Sequence, residues 1–294
     1  MNASDAALLT TLLTLTLIKA TPIAYAAIGG VLSERSGILN IGLEGMMTGG
    51  AFTAVVFSSL TGNPIAGLLA GIAAGALLGF VLGIAATAFK ADQVVAGTGI
   101  NLVAAGGAAY GLTLIFDQPG ASPQVSALGN AFWILVAAAF AAAVLLHGIL
   151  YYTPWGLRVR ACGENAYAVA DAGLRPLRLR MQAVVASGAL AGLAGAFLSI
   201  GEVNLYSDGM TAGRGFIALA AVIFGRWTPL GATAAAVFFG FFEALQYVLQ
   251  GRAGWLPSDA MQALPYVAAL IAIAGLVGRV RAPAADGIPY EQAR

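Results

Sequence analysis

Runs of about twenty apolar residues recur along this chain, and a helix of that length crosses the hydrocarbon core of a bilayer. No other feature narrows the possible folds so far. Strand-like alternation is missing, so a helical bundle is expected rather than a barrel. The chain is 60% hydrophobic and only 9% charged, whereas soluble domains carry roughly a quarter charged residues. The expected fold is all-α: a polytopic transmembrane helical bundle, one domain over residues 1–294, with about nine spans including one short or broken helix. The formal net charge of +1 says little, because in a membrane protein the placement of charge matters more than its sum. The start, MNASDAALL, lacks the basic stretch of a cleaved signal, so the N-terminus is expected to be retained.

The spans follow in order. The first runs from Ala6 to about Leu32 and contains Lys19 and Pro22; Lys19 is expected to snorkel. The second, about 40–60, carries Asn40, Glu44 and Thr48 on one face at i, i+4, i+8. A carboxylate in an apolar helix is a functional candidate, yet Glu44 also stands in the first turns, where the helix dipole favours an anion. Both readings stay open. The third span, about 64–88, has Gly67, Gly71, Gly75, Gly79 and Gly83 at every fourth position, the pattern of closely packed membrane helices. The fourth, about 93–116, aligns Gln93, Gly97 and Asn101. A fifth covers about 131–150, with His147 expected to be hydrogen-bonded near its end, and a sixth about 181–200, followed by an outer loop holding Glu202 and Asp208. Residues 211–225 are short for a span and open on Gly213-Arg214-Gly215, so a broken helix lining a cavity is expected. An eighth span, about 230–250, holds Glu243, Gln246, Tyr247 and Gln250; a last one lies at about 260–278, with a loose polar tail after it.

Between the fifth and sixth spans stands the only long polar segment, residues 151–180. It holds Arg158, Arg160, Arg175, Arg178 and Arg180, five of the chain's fourteen basic residues, against only Glu164 and Asp171. The positive-inside rule puts this loop in the cytoplasm, and with it the C-terminus, while the N-terminus falls outside. GENAYAVADAG reads as a short helix, about 164–172, stopped by Gly173 and Pro176. So short a helix is marginal alone and needs a surface to dock on. The loop therefore either meets a motor subunit or only sets topology. The single thiol, Cys162, is expected to face the cytoplasm within it.

Several chemistries lack their residues. No GxxxxGK[ST] loop is present, and Gly213-Arg214-Gly215 with Ala218 fits a dinucleotide fingerprint without the strand it needs. One histidine and one cysteine build no ordinary zinc site. No basic, aromatic-interleaved patch suggests nucleic acid. No cofactor, metal or catalytic residue is expected.

The stretch SERSGILNIGLEGMMTGGAF resembles the second-helix region of permeases from bacterial ABC importers of the branched-chain amino acid/ribose superfamily. Its NIGLEG core looks like the nucleoside-importer branch. GENAYAVADAGL resembles that family's coupling-helix loop, and GRGFIALAAVIFGRWTPLGA its later short-helix region. The likeness extends over about residues 20–279, with one departure: Ala166 stands where proline is expected after GEN, which would soften the start of the helix. The resemblance implies a multi-pass permease subunit in the bacterial inner membrane and a small-molecule cargo, a nucleoside. Its partners would be a homologous permease, an ABC ATPase that hydrolyses the ATP, and an external substrate-binding lipoprotein. Asn40, Glu44, Asn101 and Glu243 are the candidates for the substrate pathway. Glu164, Asn165, Tyr167, Ala168, Ala170, Asp171 and Gly173 are the candidates for coupling. A sugar permease and a proton-coupled secondary transporter using Glu44 or Glu243 are the alternatives.

Overall fold

The computed structural model describes residues 3–250, 263, 267, 270 and 281–291. The expected last span, about 260–278, lies almost wholly outside the described residues. The described ones form ten α-helices and one π-helical segment, with a single isolated antiparallel bridge, Ala121 to Ser207. In order these are α1 (Ala3–Arg35), α2 (Leu43–Thr61), α3 (Pro64–Thr87), α4 (Gln93–Phe116), α5 (Ala131–Tyr152), α6 (Pro154–Glu164), α7 (Ala166–Asp171) and α8 (Pro176–Ala196). The π segment (Phe197–Val203) extends α8, and α9 (Arg214–Phe224) and α10 (Pro229–Gln250) follow. Six helical stretches are long and apolar enough to cross a membrane: Ala7–Arg35, Pro64–Thr87, Gln93–Phe116, Ala131–Tyr152, Pro176–Val203 and Pro229–Gln250. Leu102, Val103, Leu114, Ile134 and Leu145 stand exposed on α4 and α5. So extensive an aliphatic surface suits lipid and not water, and the chain is a multi-pass membrane protein.

The central packing follows from the glycine spacing. The stripe on α3 lies against α2 and α8. A Cβ at Gly75 would overlap the Gly188 carbonyl and stand 2.6 Å from Gly192 Cα, and one at Gly71 would stand 2.7 Å from the Gly50 carbonyl. Backbones meet at these points because no side chain separates them, which is how membrane helices associate without a hydrophobic driving force between them. α2 is enclosed by α3, α4 and α8, and α1 packs along α10, α8 and α9.

Three expectations change. Lys19 does not snorkel: it is buried, pairs with Glu202 and lies 4.4 Å from the centre of the Tyr247 ring. Glu202 belongs to the π segment rather than to a loop. The polar loop contains two helices. Residues 154–164 form α6, with Pro154 at its first turn and Thr153 Oγ1 accepting from the Gly156 amide at 3.2 Å. Glu164 ends α6 and does not begin the short helix, which is α7.

The bundle has two distinct ends. At one lie α6, α7, the α9–α10 turn and residues 281–291. Arg35 Nε donates to the Trp227 carbonyl at 2.7 Å, and Trp227 Nε1 donates to Glu34 Oε2 at 2.5 Å. These contacts fix a turn in which Arg226 and Trp227 both have positive φ. At the other end the segment after α4 lies on the segment after the π helix. There the Ser122 amide donates to the Tyr206 carbonyl at 2.8 Å and the Asp208 amide to the Gly120 carbonyl at 2.7 Å.

Candidate substrate pathway and coupling surface

The backbone is not helical from Gly37 to Gly42, although Ile38 and Asn40 are fully buried. Buried amides without helical partners need other acceptors, and side chains from neighbouring helices supply them. Gln93 Oε1 accepts from the Leu39 amide at 2.7 Å. Asn101 Oδ1 accepts from the Gly45 amide at 2.7 Å, and its Nδ2 donates to the Ile41 carbonyl at 3.1 Å. Asn101 on α4 thus acts as a cap for α2, whose own Ncap residue Gly42 has no side chain to offer. Asn40 Nδ2 donates to Ser187 Oγ on α8 at 3.0 Å, while its Oδ1 is buried without a hydrogen-bond partner.

Glu44 reaches across to the second interrupted helix. Its Oε1 accepts from the Gly213 amide at 2.9 Å and its Oε2 from the Gly215 amide at 2.7 Å. Both amides belong to the start of α9, so the carboxylate sits where orphan donors and the helix dipole both favour an anion. Gly213 has φ +77°, and a Cβ at Gly215 would stand 2.5 Å from Glu44 Cα. Glycine is needed at both positions for the approach. Thr48 Oγ1 and Thr211 Oγ1 are 3.1 Å apart on the same seam. Glu44 thus lies both in the first turn of α2 and against the N-terminus of α9.

Glu243 on α10 pairs with Arg214, the first residue of α9, and Arg214 Nη1 also donates to the Met210 carbonyl at 3.0 Å. Both side chains are nearly buried, and a buried charge is tolerated only with a partner of opposite sign. Sequence reasoning singled out Glu243 but not Arg214 as its counter-ion, nor Lys19 with Glu202. A cavity of about 460 Å³ opens beside that second pair, lined by Lys19, Glu202, Phe132 and Tyr247 together with aliphatic side chains. Of Asn40, Glu44, Asn101 and Glu243, none lines that cavity. Each one ties an interrupted helix to its neighbours.

The coupling candidates do converge. Asn165 Oδ1 accepts from the amides of Tyr167 and Ala168 at 3.0 and 3.1 Å, capping α7. Asn165 thus satisfies two of the donors at the helix start, with Ala166 following it. Ala166 and Val169 are buried, while Tyr167, Ala168, Asp171 and Gly173 are exposed and Ala170 is half-buried. Gly173 takes φ +77° and stops the helix. Arg180 is not part of an exposed cluster. It is 2% exposed on α8 and donates to the Ser36 and Ile288 carbonyls, both at 3.1 Å. Cys162 is fully buried, and that burial pushes its thiol up to about 11, so it is no topology probe. His147 stacks on Tyr151 with ring centres 4.6 Å apart, and its Nδ1 has no hydrogen-bond partner. Among the described residues no cluster of histidine, cysteine or carboxylate could hold a metal ion.

Residues 12–278 match the family described as branched-chain amino acid transport system / permease component. The chain is 37% identical to the guanosine ABC transporter permease protein NupQ of Bacillus subtilis, over 94% of each chain. It is 34% identical to the nucleoside ABC transporter permease protein NupC of Lactococcus lactis, over 93% of this chain and 94% of that one. It is also 34% identical to a putative glucose ABC transporter permease protein, TsgC13, of Haloferax volcanii, over 80% of this chain and 76% of the other. No solved structure matches the chain. A helical membrane bundle, matched by the family over nearly its whole length, leaves one assignment: the chain belongs to the branched-chain amino acid transport system permease family.

Proposed function

We propose that this protein is a permease subunit of an ATP-driven importer for nucleosides in the bacterial inner membrane. The near-full-length likeness to the NupQ and NupC permeases carries the reading. A second, homologous permease would complete the pathway, an ABC ATPase would hydrolyse ATP, and an external lipoprotein would deliver the cargo. The end of the bundle with α6 and α7 would be cytoplasmic, as the arginines of residues 151–180 require, and residues 281–291 lie at that end. The N-terminus would lie outside.

In this reading α7 is the coupling helix, with Tyr167 and Ala168 outermost. ATP binding at the motor would push on α7, and the interrupted helices α2 and α9 would move with the bundle. Asn40, Glu44, Asn101 and Glu243 would line or shape the path by fixing the starts of these helices. The cavity beside Lys19 and Glu202 is within the size range of small-molecule sites and has aromatic walls in Phe132 and Tyr247, which suits a planar base. Uptake by vesicles holding the whole assembly tests the assignment. Unlabelled nucleoside should abolish uptake of labelled nucleoside, and neither free pentose nor dissipation of the proton gradient should do so. The likeness to the putative glucose permease favours a sugar as the second reading; competition by a free sugar as strong as by nucleoside would establish it. For coupling, Ala168→Trp should block co-purification of the ATPase, and unchanged co-purification would remove α7 from that role.

A further inference from the structure

Residues 281–291 of the tail are not loose. They lie across α6, α7 and the start of α8. The Ala285 amide donates to the Gly163 carbonyl at 2.7 Å, and Arg180 Nη1 donates to the Ile288 carbonyl at 3.1 Å. Lys90 Nζ reaches Glu291 at 3.1 Å. Pro283 and Tyr290 are buried, and the Tyr290 ring meets the Tyr167 ring with centres 5.0 Å apart. The tail can come so close partly because α6 itself approaches α1. A Cβ at Gly163 would overlap the Arg35 carbonyl oxygen and stand 2.9 Å from its carbon.

Two consequences bear on α7. Six residues make too short a helix to hold itself in water, and Tyr290 supplies the largest ring packed against it. Tyr290 also forms one wall of a groove of about 510 Å³, otherwise lined by Ala170, Leu174, Leu177, Arg175 and Arg178 among others. Without the tail that wall is gone. The groove's lining is about half apolar, with Leu174 and Leu177 half-buried in it and Arg175 and Arg178 exposed. The groove is continuous with the outward face of α7 through Ala170 and Gly173.

We propose that residues 281–291 are a strap forming part of the motor-docking surface, bracing α7 and completing, through Tyr290, a groove for an apolar side chain flanked by carboxylates on the ATPase. This rests on the reading of α7 as the coupling helix. The geometry gives the strap both roles: the α7–Tyr290 contact holds the helix, and the basic rim selects an acidic partner.

The test compares the full assembly carrying the intact chain, a chain ending at residue 281, and Tyr290→Ala. Amide exchange of residues 166–171 is read on the permease, and ATPase co-purification is read on the assembly. Both strap variants should speed exchange in α7 by about tenfold or more and lower the retained ATPase by about fivefold, the effect of losing one aromatic anchor. Tyr290→Phe should behave as the parent does, because the ring and not the hydroxyl makes the contact. Exchange and ATPase retention both unchanged in Tyr290→Ala would overturn the proposal, as would faster exchange with full retention. If Ala168→Trp loses the ATPase while the strap variants keep it, the coupling helix stands and the strap falls. If Ala168→Trp keeps the ATPase, the coupling reading has failed first.

Discussion

The carboxylate of Glu44 accepts a hydrogen bond of 2.7 Å from the amide of Gly215, 171 residues further along the chain. With the companion bond to Gly213, one side chain on α2 closes the start of α9. An intramembrane acid ordinarily suggests proton or substrate chemistry. Here both oxygens are engaged by backbone donors, so the acid works as a joint between an enclosed helix and an interrupted one. Hydrogen bonds to a charged group are worth about 1.5–3 kcal/mol each. Glu44→Gln replaces one acceptor oxygen with a donor facing an amide. It should lower the unfolding temperature of the purified protein by several degrees and reduce uptake about tenfold. Gly215→Ala should reproduce the defect from the other side of the joint. Parent-like melting and uptake in both variants would show that the joint does not matter.

The pair Arg214–Glu243 makes a different forecast, because here two charges share a nearly buried site. Glu243→Gln strands a guanidinium whose Nε already lacks a partner, and breaking such a pair costs about 3–5 kcal/mol. Arg214→Met/Glu243→Met removes both charges and should be nearer the parent in thermal stability than Glu243→Gln alone. The measurement is a double-mutant cycle on the detergent-solubilised protein, closed by the single variants Arg214→Met and Glu243→Met. Additive losses would mean that the two residues act independently.

Glycine contacts between α3 and α8 give the clearest packing test. Gly75→Leu should abolish stable expression, since a Cβ alone would already overlap the Gly188 carbonyl. Gly106→Ala on α4 has nothing within 4 Å of the new Cβ, and alanine favours a helix over glycine by up to about 1 kcal/mol. Yield and melting temperature should fall only for the first. Equal yields would show that α3 and α8 can separate without harm.

How far the sequence foretold this arrangement depends on the range of the interaction. The α3 stripe was legible because close helix contact needs a small residue at every fourth position, a purely local pattern. The bounds of α4 were also legible, and in the structure Asp92 caps its start and Asp117 ends it in the left-handed region. The start of α6 was not, because the cap from Thr153 onto the Gly156 amide is seen only in the fold. Lys19 and Glu202 stand 183 residues apart, so no periodicity could join them, and a lone lysine in an apolar run then looks like a snorkelling one. The tail read as loose because its partners, the Gly163 carbonyl and Arg180, are a backbone atom and a residue counted among the surface arginines. Asn40, Glu44, Asn101 and Glu243 were found as polar outliers on apolar faces; what each one holds required the fold.

Topology can be tested with thiols. Cys162 is fully buried and burial raises its thiol to about 11, so the thiolate that reacts with maleimide is scarce at neutral pH. The parent should resist a membrane-impermeant maleimide in both intact cells and inside-out vesicles. Tyr167→Cys, at a position 51% exposed, should label in inside-out vesicles only. Labelling of Tyr167→Cys from outside would reverse the proposed orientation of the whole bundle.

The strap carries its own pH dependence through Asp286. Burial raises this carboxyl to about 7, against the Gly287 amide and the Arg180 guanidinium, which both pull it down. Its Oδ1 is buried without a hydrogen-bond partner. Among the described residues the titratable groups facing the strap include Arg180 on α8, Glu34 on α1, whose charge interacts with Asp286, Cys162 and Glu164 on α6, Tyr167 on α7 and the exposed Lys90–Glu291 pair. Because the docked value lies above the free value of 3.8, the contribution of Asp286 to docking is fully present below about pH 4. It is lost as pH rises to about 7 and changes no further above that. Amide exchange in α7 should therefore be slower at about pH 6 than at about pH 8, after correction for the intrinsic pH dependence of exchange. Asp286→Asn keeps the shape without the charge, and should hold the strap equally well at both. If Asp286→Asn keeps the parent's dependence, the titrating group is not Asp286, and Glu34→Gln then tests the neighbour that shares its burial.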